Sequence, residues 1–176
     1  MSRFRDRLIR AARLDPQLYE EVEADRSATG QAVAVVVLSS VAAGIGAPAS
    51  GGPGGLVGGV AAALAAWALW ALLTLLVGTR ILPEPQTHAD LGELLRTIGF
   101  ASAPGLVRIV GIVPGLAGPV DVAATVWTMA AVVVAVRQAL DYRSTPRAVG
   151  VCLIAWLAHA MLVAFLFGLF GGAPGT

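Results

Sequence analysis

Apolar residues dominate this chain in five separate stretches, and short polar or glycine-rich segments lie between them. The stretches cover residues 29–49, 56–78, 94–113, 119–136 and 148–170. Each has about the 20 residues that an α-helix needs to cross the hydrocarbon core of a bilayer. The pattern predicts an all-α polytopic membrane protein, a bundle of five transmembrane helices that forms one membrane domain over residues 29–176.

Charged residues alternate between the connections and predict an orientation for the bundle. Eleven of the twelve arginines lie before the first stretch or close to the second and fourth connections. Residues 47–58, residues 109–120 and the tail after Arg147 carry no Asp, Glu, Lys or Arg. Because cytoplasmic connections retain basic residues, we predict a cytoplasmic N-terminus and a C-terminus outside. Arg108 is the single exception.

Composition is typical of a membrane protein and favours a bacterial source. The chain is 57% hydrophobic and 13% charged, whereas soluble domains carry about a quarter charged residues. Lys and Asn are absent while Ala, Gly, Val and Arg abound, which is typical of a GC-rich bacterial gene and favours the bacterial inner membrane. Cys152 is the only cysteine, so no disulfide framework or four-cysteine metal site is expected.

Residues 1–28 form a separate cytoplasmic segment with two predicted helices. In the first, apolar side chains lie on one face and arginines mostly on the other. Such a helix either lies in the headgroup layer or acts only as a topology signal, and the sequence leaves both interpretations open. The candidate contacts to anionic lipid are Arg3, Arg5, Arg7, Arg10 and Arg13. Asp15 and Pro16 predict an N-cap and first position for a second helix that runs to about Ser27, with a break at Gly30.

Start signals recur before the later helices. Thr87 to Asp90 matches an acidic capping box and predicts that the third long helix begins near His88. Gly118-Pro119 and Ser144-Thr145-Pro146 predict the starts of the fourth and fifth. Residues 50–55 predict a tight uncharged outer turn. All connections are short, so consecutive helices should be antiparallel neighbours.

Small residues and tryptophans predict tight packing between helices. The second span contains a Gly-x-x-x-Gly spacing, Gly55 to Gly59, which favours close helix contacts within the chain and alternatively between copies. The four tryptophans lie well inside their spans instead of at the interfaces, where membrane Trp usually lies. We expect each indole N–H to reach a carbonyl or hydroxyl group. An aromatic-lined ligand pocket is the weaker alternative.

Three polar residues within the apolar layer are the candidates for a functional site. Arg108 and Asp121 are separated only by a Gly/Pro-rich hairpin, and we favour an ion pair between them over independent contacts with the interface. His159 lies near the middle of the fifth span. An intramembrane ionisable residue is a functional candidate, but we favour a neutral histidine bonded to a carbonyl or hydroxyl. A metal site would need three or four ligands, and only Cys152 shares its face.

Enzyme signatures are missing from the chain. It contains neither a Gly-x-Ser-x-Gly elbow nor a His-Glu-x-x-His pair. The N-terminal arginines are balanced by nearby acids, which argues against nucleic-acid binding. We therefore expect no enzyme activity, cofactor or bound metal.

Several short motifs are shared with a known family. They are Gly99-Phe100-Ala101-x-x-Pro104, Ile112-Val113-Pro114, Trp127, Arg147-Ala148, Leu14-Asp15-Pro16-x-Leu18-Tyr19-Glu20-Glu21 and Ser27-Ala28-Thr29-Gly30-Gln31-Ala32. Together with five spans, these motifs resemble the Yip1 family, and the last two resemble its bacterial members. The resemblance covers about residues 14–170 and implies a five-helix integral membrane protein without catalytic residues. Eukaryotic relatives act with Rab GTPases in ER and Golgi traffic. That role is not implied here, because the family's Asp-Leu-Tyr-Gly-Pro segment has no counterpart.

The sequence therefore predicts a non-catalytic membrane protein that acts by association. It would be a scaffold, membrane organiser or accessory subunit of a larger membrane complex, and would dock through residues 1–28, 80–96 and 137–147. Expected partners are the lipid bilayer, anionic lipids, and other membrane proteins or further copies of the chain. The alternative is a small oligomeric transporter or channel, in which Arg108, Asp121 and His159 would line one polar path.

Overall fold

The fold is all-α and contains the five long apolar helices that the sequence predicts. The computed structural model describes residues 2–46 and 52–170, and these described residues form seven α-helices, two 3₁₀ segments and one π segment. The α-helices are α1 (Ser2–Ala12), α2 (Pro16–Ala24), α3 (Thr29–Gly46), α4 (Gly52–Leu76), α5 (Leu91–Ala101), α6 (Ala117–Ala139) and α7 (Thr145–Phe170). The segments long and apolar enough to cross a membrane are Arg26–Gly46, Gly54–Ile81, Leu91–Ile112, Ala117–Ala139 and Thr145–Phe165. Each long helix contacts the next, as the short connections require.

Helices α1 and α2 form a hairpin that packs against the bundle. Leu14, in the left-handed region at φ 62°, turns the chain after α1. Asp15 then caps α2, since its carboxylate accepts the Gln17 backbone N–H at 3.1 Å, and Pro16 occupies the first turn as predicted. The apolar faces of both helices join the core, through Phe4, Leu8, Ala11, Leu18, Tyr19 and Val22. The apolar face of α1 therefore contacts protein.

Helix α3 begins at Thr29, the first residue of the predicted span, but the predicted break at Gly30 and the predicted start near His88 are wrong, and capping explains both. The break before α3 lies at Asp25, whose carboxylate accepts the Ser27 backbone N–H at 3.0 Å and starts a 3₁₀ turn, Arg26–Ala28. Gly30 is already inside α3. The helix predicted to begin near His88 begins at Leu91, because Asp90 and Glu93 form the capping box instead of Thr87 and Asp90.

The remaining starts lie close to their predicted positions. Helix α7 begins at Thr145, within its predicted signal, whereas α6 begins at Ala117, two residues before Pro119, without a side-chain cap. The predicted turn at residues 50–55 falls partly outside the described residues, and its second half is helical from Gly52 onwards.

The third span is broken in the middle. The α-helix α5 ends at Ala101 and is followed by a 3₁₀ segment, Ala103–Ile112. Pro104 lies in the first turn of that segment, where its missing N–H breaks the α-helical ladder. The carbonyl of Ser102, at the break, accepts the Ser39 hydroxyl at 2.8 Å. Long 3₁₀ runs are uncommon and often mark functional or strained sites.

Close backbone approach occurs at glycines outside the Gly-x-x-x-Gly spacing. A Cβ at Gly99 would lie 2.8 Å from the Cβ of Ala32 on α3, and one at Gly46 would overlap the Arg108 carbonyl. By contrast, a Cβ at Gly59 would meet nothing within 4 Å. The structure therefore shows no close contact within the chain at Gly59, although Leu56 in the same turns lies 2.7 Å from the position that a Cβ would take at Gly44 of α3.

Candidate functional site

Polar side chains gather in two places, the first at the end of the bundle that carries most arginines. We define this arginine-rich end by the hairpin of α1 and α2, the connection 82–90 and the connection 140–144. The opposite end, at residues 109–116 and the start of α4, is the uncharged end. The buried centre of the arginine-rich end is Arg7, whose side chain is 1% exposed.

Arg7 is held by three elements. Its guanidinium donates to Glu21 at 2.8 Å, to Asp25 at 2.8 Å and to the Gln31 side chain at 3.0 Å. Hydrogen bonds from Arg7 and Arg10 hold the pKa of Glu21 below its ordinary value. Hydrogen bonds from Ser27 and then Arg7 lower the pKa of Asp25 to about 2. This network joins α1, the end of α2 and the start of α3.

The network corrects the set of candidate lipid contacts. Arg7 is buried, and Arg10 is committed to Asp15 and Glu21, each at 2.7 Å, so neither presents a free guanidinium to a headgroup. Their partners are acids of the following helix, which the amphipathic pattern of α1 alone did not reveal. Arg3, Arg5 and Arg13 are exposed. Of the five candidate contacts to anionic lipid, these three arginines remain.

A second buried arginine ties α5 to the hairpin. Arg96, 6% exposed, donates to the backbone carbonyls of Val22 at 2.9 Å and of Glu23. Burial, together with the neighbouring carboxylates of Glu93, Asp141 and Glu20, raises the pKa of Glu23 from 4.5 to about 7. Arg96 satisfies the last carbonyls of α2, which lack intrahelical partners.

The two connections of the arginine-rich end are also bonded to each other. The Tyr142 hydroxyl lies 2.9 Å from the Gly78 carbonyl and 2.7 Å from the Leu82 carbonyl. The Gln86 side chain donates to the Asp141 carbonyl at 3.0 Å, and Glu84 accepts the Arg143 backbone N–H at 3.2 Å. The arginine-rich end is therefore a cross-linked polar surface rather than a set of independent loops.

The second polar site is a cavity of about 620 Å³ in the half of the bundle toward the uncharged end. Helices α3, α4, α6 and α7 and the broken third span all contribute to its wall. Its polar side chains are Ser39, Ser40, Trp67, Trp70, Ser102, Arg108, Thr128, Trp156 and His159. The rest of the wall is apolar and is mostly made of small residues, including Gly55, Gly59, Ala63 and Ala66.

Four residues of this wall each carry a buried polar atom that has no hydrogen-bond partner among the described residues. These atoms are Nε1 of Trp67, Nε1 of Trp70, Oγ1 of Thr128 and Nδ1 of His159. The expected bonds from Trp67, Trp70 and His159 to carbonyl or hydroxyl groups are therefore wrong for these atoms. The weaker alternative, an aromatic-lined pocket, describes the geometry better. Sequence reasoning missed Ser39, Ser102 and Thr128, because hydroxyl residues in apolar helices usually bond to their own backbone.

Arg108 borders the cavity and is joined to Asp121 as the short hairpin predicted. Its Nε donates to the Asp121 carboxylate at 2.8 Å, and its Nη2 donates to the Thr125 hydroxyl at 2.8 Å. Asp121 is 66% exposed and does not belong to the cavity wall. The structure therefore brings Arg108 and His159 to one cavity and leaves Asp121 behind the arginine.

Trp127 is the one tryptophan that fits the expected bonding. Its indole N–H donates to the Ala12 carbonyl at 2.8 Å, which satisfies an orphan carbonyl at the end of α1. Unlike the other three tryptophans, it is not part of the cavity wall. This contact fixes the hairpin to the middle of α6.

Metal ligation finds no support in the part of the chain that the structure describes. Within residues 2–46 and 52–170, no three His, Cys, Asp or Glu side chains are close enough to hold an ion. His159 and Cys152 share a face of α7 but acquire no third ligand. The cavity therefore offers hydrogen bonds and apolar surface.

Comparison with known proteins shows the family of this chain. The Yip1 domain model matches residues 14–167. The chain belongs to the Yip1 family. No curated protein and no solved structure matches it. The matched region contains both polar sites, except that Arg7 and the rest of α1 precede it. As a Yip1-family protein with five apolar helices, the chain is a multi-pass membrane protein.

Proposed function

We propose that this Yip1-family protein is a non-catalytic scaffold, membrane organiser or accessory subunit that binds other membrane proteins through its arginine-rich end. The observation that carries the proposal is the cross-linking of that end. Three chain segments are held together by side-chain bonds to backbone groups, from Arg96, Gln86 and Tyr142. A surface that is ordered before binding loses less conformational entropy when a partner docks.

Charge on this surface suits association with acidic protein segments or headgroups. Arg3, Arg5, Arg13, Arg26, Arg80 and Arg143 are exposed. Their retention on one side supports a cytoplasmic position for this end, and the composition favours the inner membrane of a bacterium and the bacterial branch of the family. Arg3, Arg5 and Arg13 are the proposed contacts to anionic lipid, worth about 1 kcal/mol each near a charged surface.

The test is extraction of the protein from native membranes into lipid discs, followed by mass spectrometry of the bound molecules. We expect a stoichiometric membrane-protein partner. Arg26→Glu with Arg143→Glu should release it, whereas Val57→Thr, an exposed change at the uncharged end, should retain it. If no protein copurifies, or if the charge reversals retain the partner as well as Val57→Thr does, the docking proposal is wrong.

A second candidate function, a small oligomeric transporter or channel, is favoured by one observation. Arg108 and His159 line the same cavity. Recovery of a pure homo-oligomer in the disc experiment, together with solute flux into proteoliposomes that Arg108→Leu abolishes, would support this candidate over the scaffold.

A further inference from the structure

The cavity near the uncharged end combines three properties of a ligand site. Its volume of about 620 Å³ falls in the range of about 300–1,000 Å³ found for small-molecule sites. Its wall is chiefly apolar, with a few polar groups that could orient a ligand. Four of those polar atoms are buried without a partner among the described residues, and an unsatisfied buried polar group is destabilising.

Part of the cavity wall is exposed at the start of α4. Every residue from Gly54 to Gly59 is exposed, and Gly55, Leu56 and Gly59 belong to the cavity wall. The cavity therefore opens along the first turns of α4, within a segment apolar enough to cross a membrane. In a multi-pass membrane protein, a lipid of the surrounding bilayer can reach the wall along these turns.

The polar atoms of the wall specify a ligand with acceptor oxygens. The indoles of Trp67 and Trp70 can only donate hydrogen bonds, and the Thr128 hydroxyl can also donate. Arg108 Nη1 is directed toward the same region, since a Cβ at Gly105 would lie 2.9 Å from it and 3.4 Å from the Cβ of Ser39. The charge of Arg108 is already neutralised by Asp121 at 2.8 Å, so the geometry favours an uncharged acceptor.

We propose that this cavity binds an ester-linked acyl lipid, with the ester carbonyls at Trp67, Trp70 and Thr128 and an acyl chain along the small residues of α4. The site goes beyond the docking role proposed above and does not depend on it. The four polar atoms each expose less than 1 Å², so a bound carbonyl displaces the atoms that cover them. Binding therefore changes the environment of the cavity tryptophans.

Tryptophan fluorescence of the purified full chain in detergent tests the proposal. The titrants are a phosphatidylethanolamine with brominated ester-linked acyl chains, which quench nearby indoles, and its ether-linked analogue, which lacks the carbonyls. A Trp127→Phe background removes the tryptophan that lies outside the cavity. We expect saturable quenching at about one ester lipid per chain, and about three- to ten-fold weaker binding of the ether lipid, the loss expected for one or two hydrogen bonds.

Two adjacent positions of α4 give a matched pair of variants. Ala63 belongs to the cavity wall, whereas Ala62 is exposed and does not. Ala63→Phe should weaken ester-lipid binding by at least about ten-fold, and Ala62→Phe should leave it unchanged. Thr128→Val keeps the shape of the side chain, removes its hydroxyl and should reduce the preference for ester over ether lipid.

The same experiment can overturn the proposal. Quenching that does not saturate, or equal binding to both Phe variants, would show that no lipid occupies the cavity. Equal affinity of the parent for ester and ether lipids would also overturn the proposal, whether or not Ala63→Phe folds. A Thr128→Val protein with an unchanged ester preference would remove Thr128 from the site.

Discussion

The two ends of the bundle treat buried polar groups in opposite ways. At the arginine-rich end, Arg7 is 1% exposed and engages two carboxylates and an amide, and Arg96 engages two backbone carbonyls. Toward the uncharged end, Trp67, Trp70, Thr128 and His159 surround a cavity and carry polar atoms that have no partner within residues 2–46 and 52–170. A satisfied network rigidifies a structure, whereas an unsatisfied group favours whatever molecule can satisfy it. The difference indicates a stabilising role for one end and supports the proposal of ligand recognition at the other.

Among single substitutions, removal of Arg7 should cause the largest loss of stability at the arginine-rich end. Arg7→Ala removes a buried guanidinium, leaves Asp25 without its arginine and leaves Glu21 with Arg10 as its nearest cation, and breaking an ion pair at a buried position is strongly destabilising. We expect a large fall in the thermal unfolding midpoint of the protein in detergent, followed by circular dichroism. Arg5→Ala, an exposed change on the same helix, should alter stability by less than about 0.5 kcal/mol. Equal effects of the two changes would contradict the network.

The pH dependence of stability should report on Glu23. Because its pKa in the folded protein is raised from 4.5 to about 7, its contribution is fully present below pH 4.5 and is lost as the pH rises through 7. Glu23→Gln should therefore stabilise the protein at pH 8 by roughly 1–2 kcal/mol and change little at pH 4.5. The measurement is the unfolding midpoint of both proteins across this range. A pH-independent difference would show that charge at Glu23 is not the cause.

Asp25 should contribute to stability with the opposite pH dependence, because its pKa is lowered instead of raised. Its pKa is lowered to about 2, so its contribution is present above its unfolded value of about 4 and is lost as the pH falls toward 2. Glu23 and Asp25 are two residues apart, and Asp25→Asn should accordingly lower the unfolding midpoint at pH 7 but not at pH 2. An effect at both pH values would indicate a loss other than charge.

The ion pair of Arg108 and Asp121 is neither a buried network nor an unpaired group. The arginine borders the cavity, and the acid is 66% exposed. A double-mutant cycle with Arg108→Leu and Asp121→Leu should give a coupling free energy of about 1 kcal/mol in detergent. The double variant should be less destabilised than the sum of the single variants. Strict additivity would mean that the 2.8 Å contact contributes nothing.

The same substitution, threonine to valine, can be made at one buried hydroxyl in each region to test the difference between the two ends. Thr97 is fully buried and donates to the Glu93 carbonyl at 3.0 Å, whereas the Thr128 hydroxyl is buried without a partner among the described residues. Thr97→Val should cost about 1 kcal/mol of stability, and Thr128→Val should cost nothing or stabilise slightly. If the lipid-free protein loses equal stability in both variants, the bonded and the unbonded hydroxyl contribute equally to the free energy of unfolding, and the two ends do not differ in stability as proposed.

Much of the fold was predictable because it depends on solvent and on local geometry. Hydropathy over about 20 residues reveals a helix that must avoid water, and Asp15-Pro16 starts α2 because a cap needs only the next few backbone groups. The partnership of Arg108 and Asp121 was also within reach, since a tight hairpin leaves the two residues few other neighbours. The start at Leu91 was missed by three residues because two overlapping capping patterns compete there.

The partners of Arg7 and the cavity needed the tertiary structure. Helices that are apolar on all sides carry little information about which face points inward, so the sequence could not place Trp67, Trp70 and His159 around one space or move Gly59 away from its neighbours. Arg7 looked like a surface arginine because its acids belong to other helices. The sequence alone determined that this chain has five helices long and apolar enough to cross a membrane, and where they begin and end to within a few residues. The rotation of each helix, and hence which polar atoms are paired and which face a cavity, was decided by packing, because only the contacts between helices distinguish one apolar face from another.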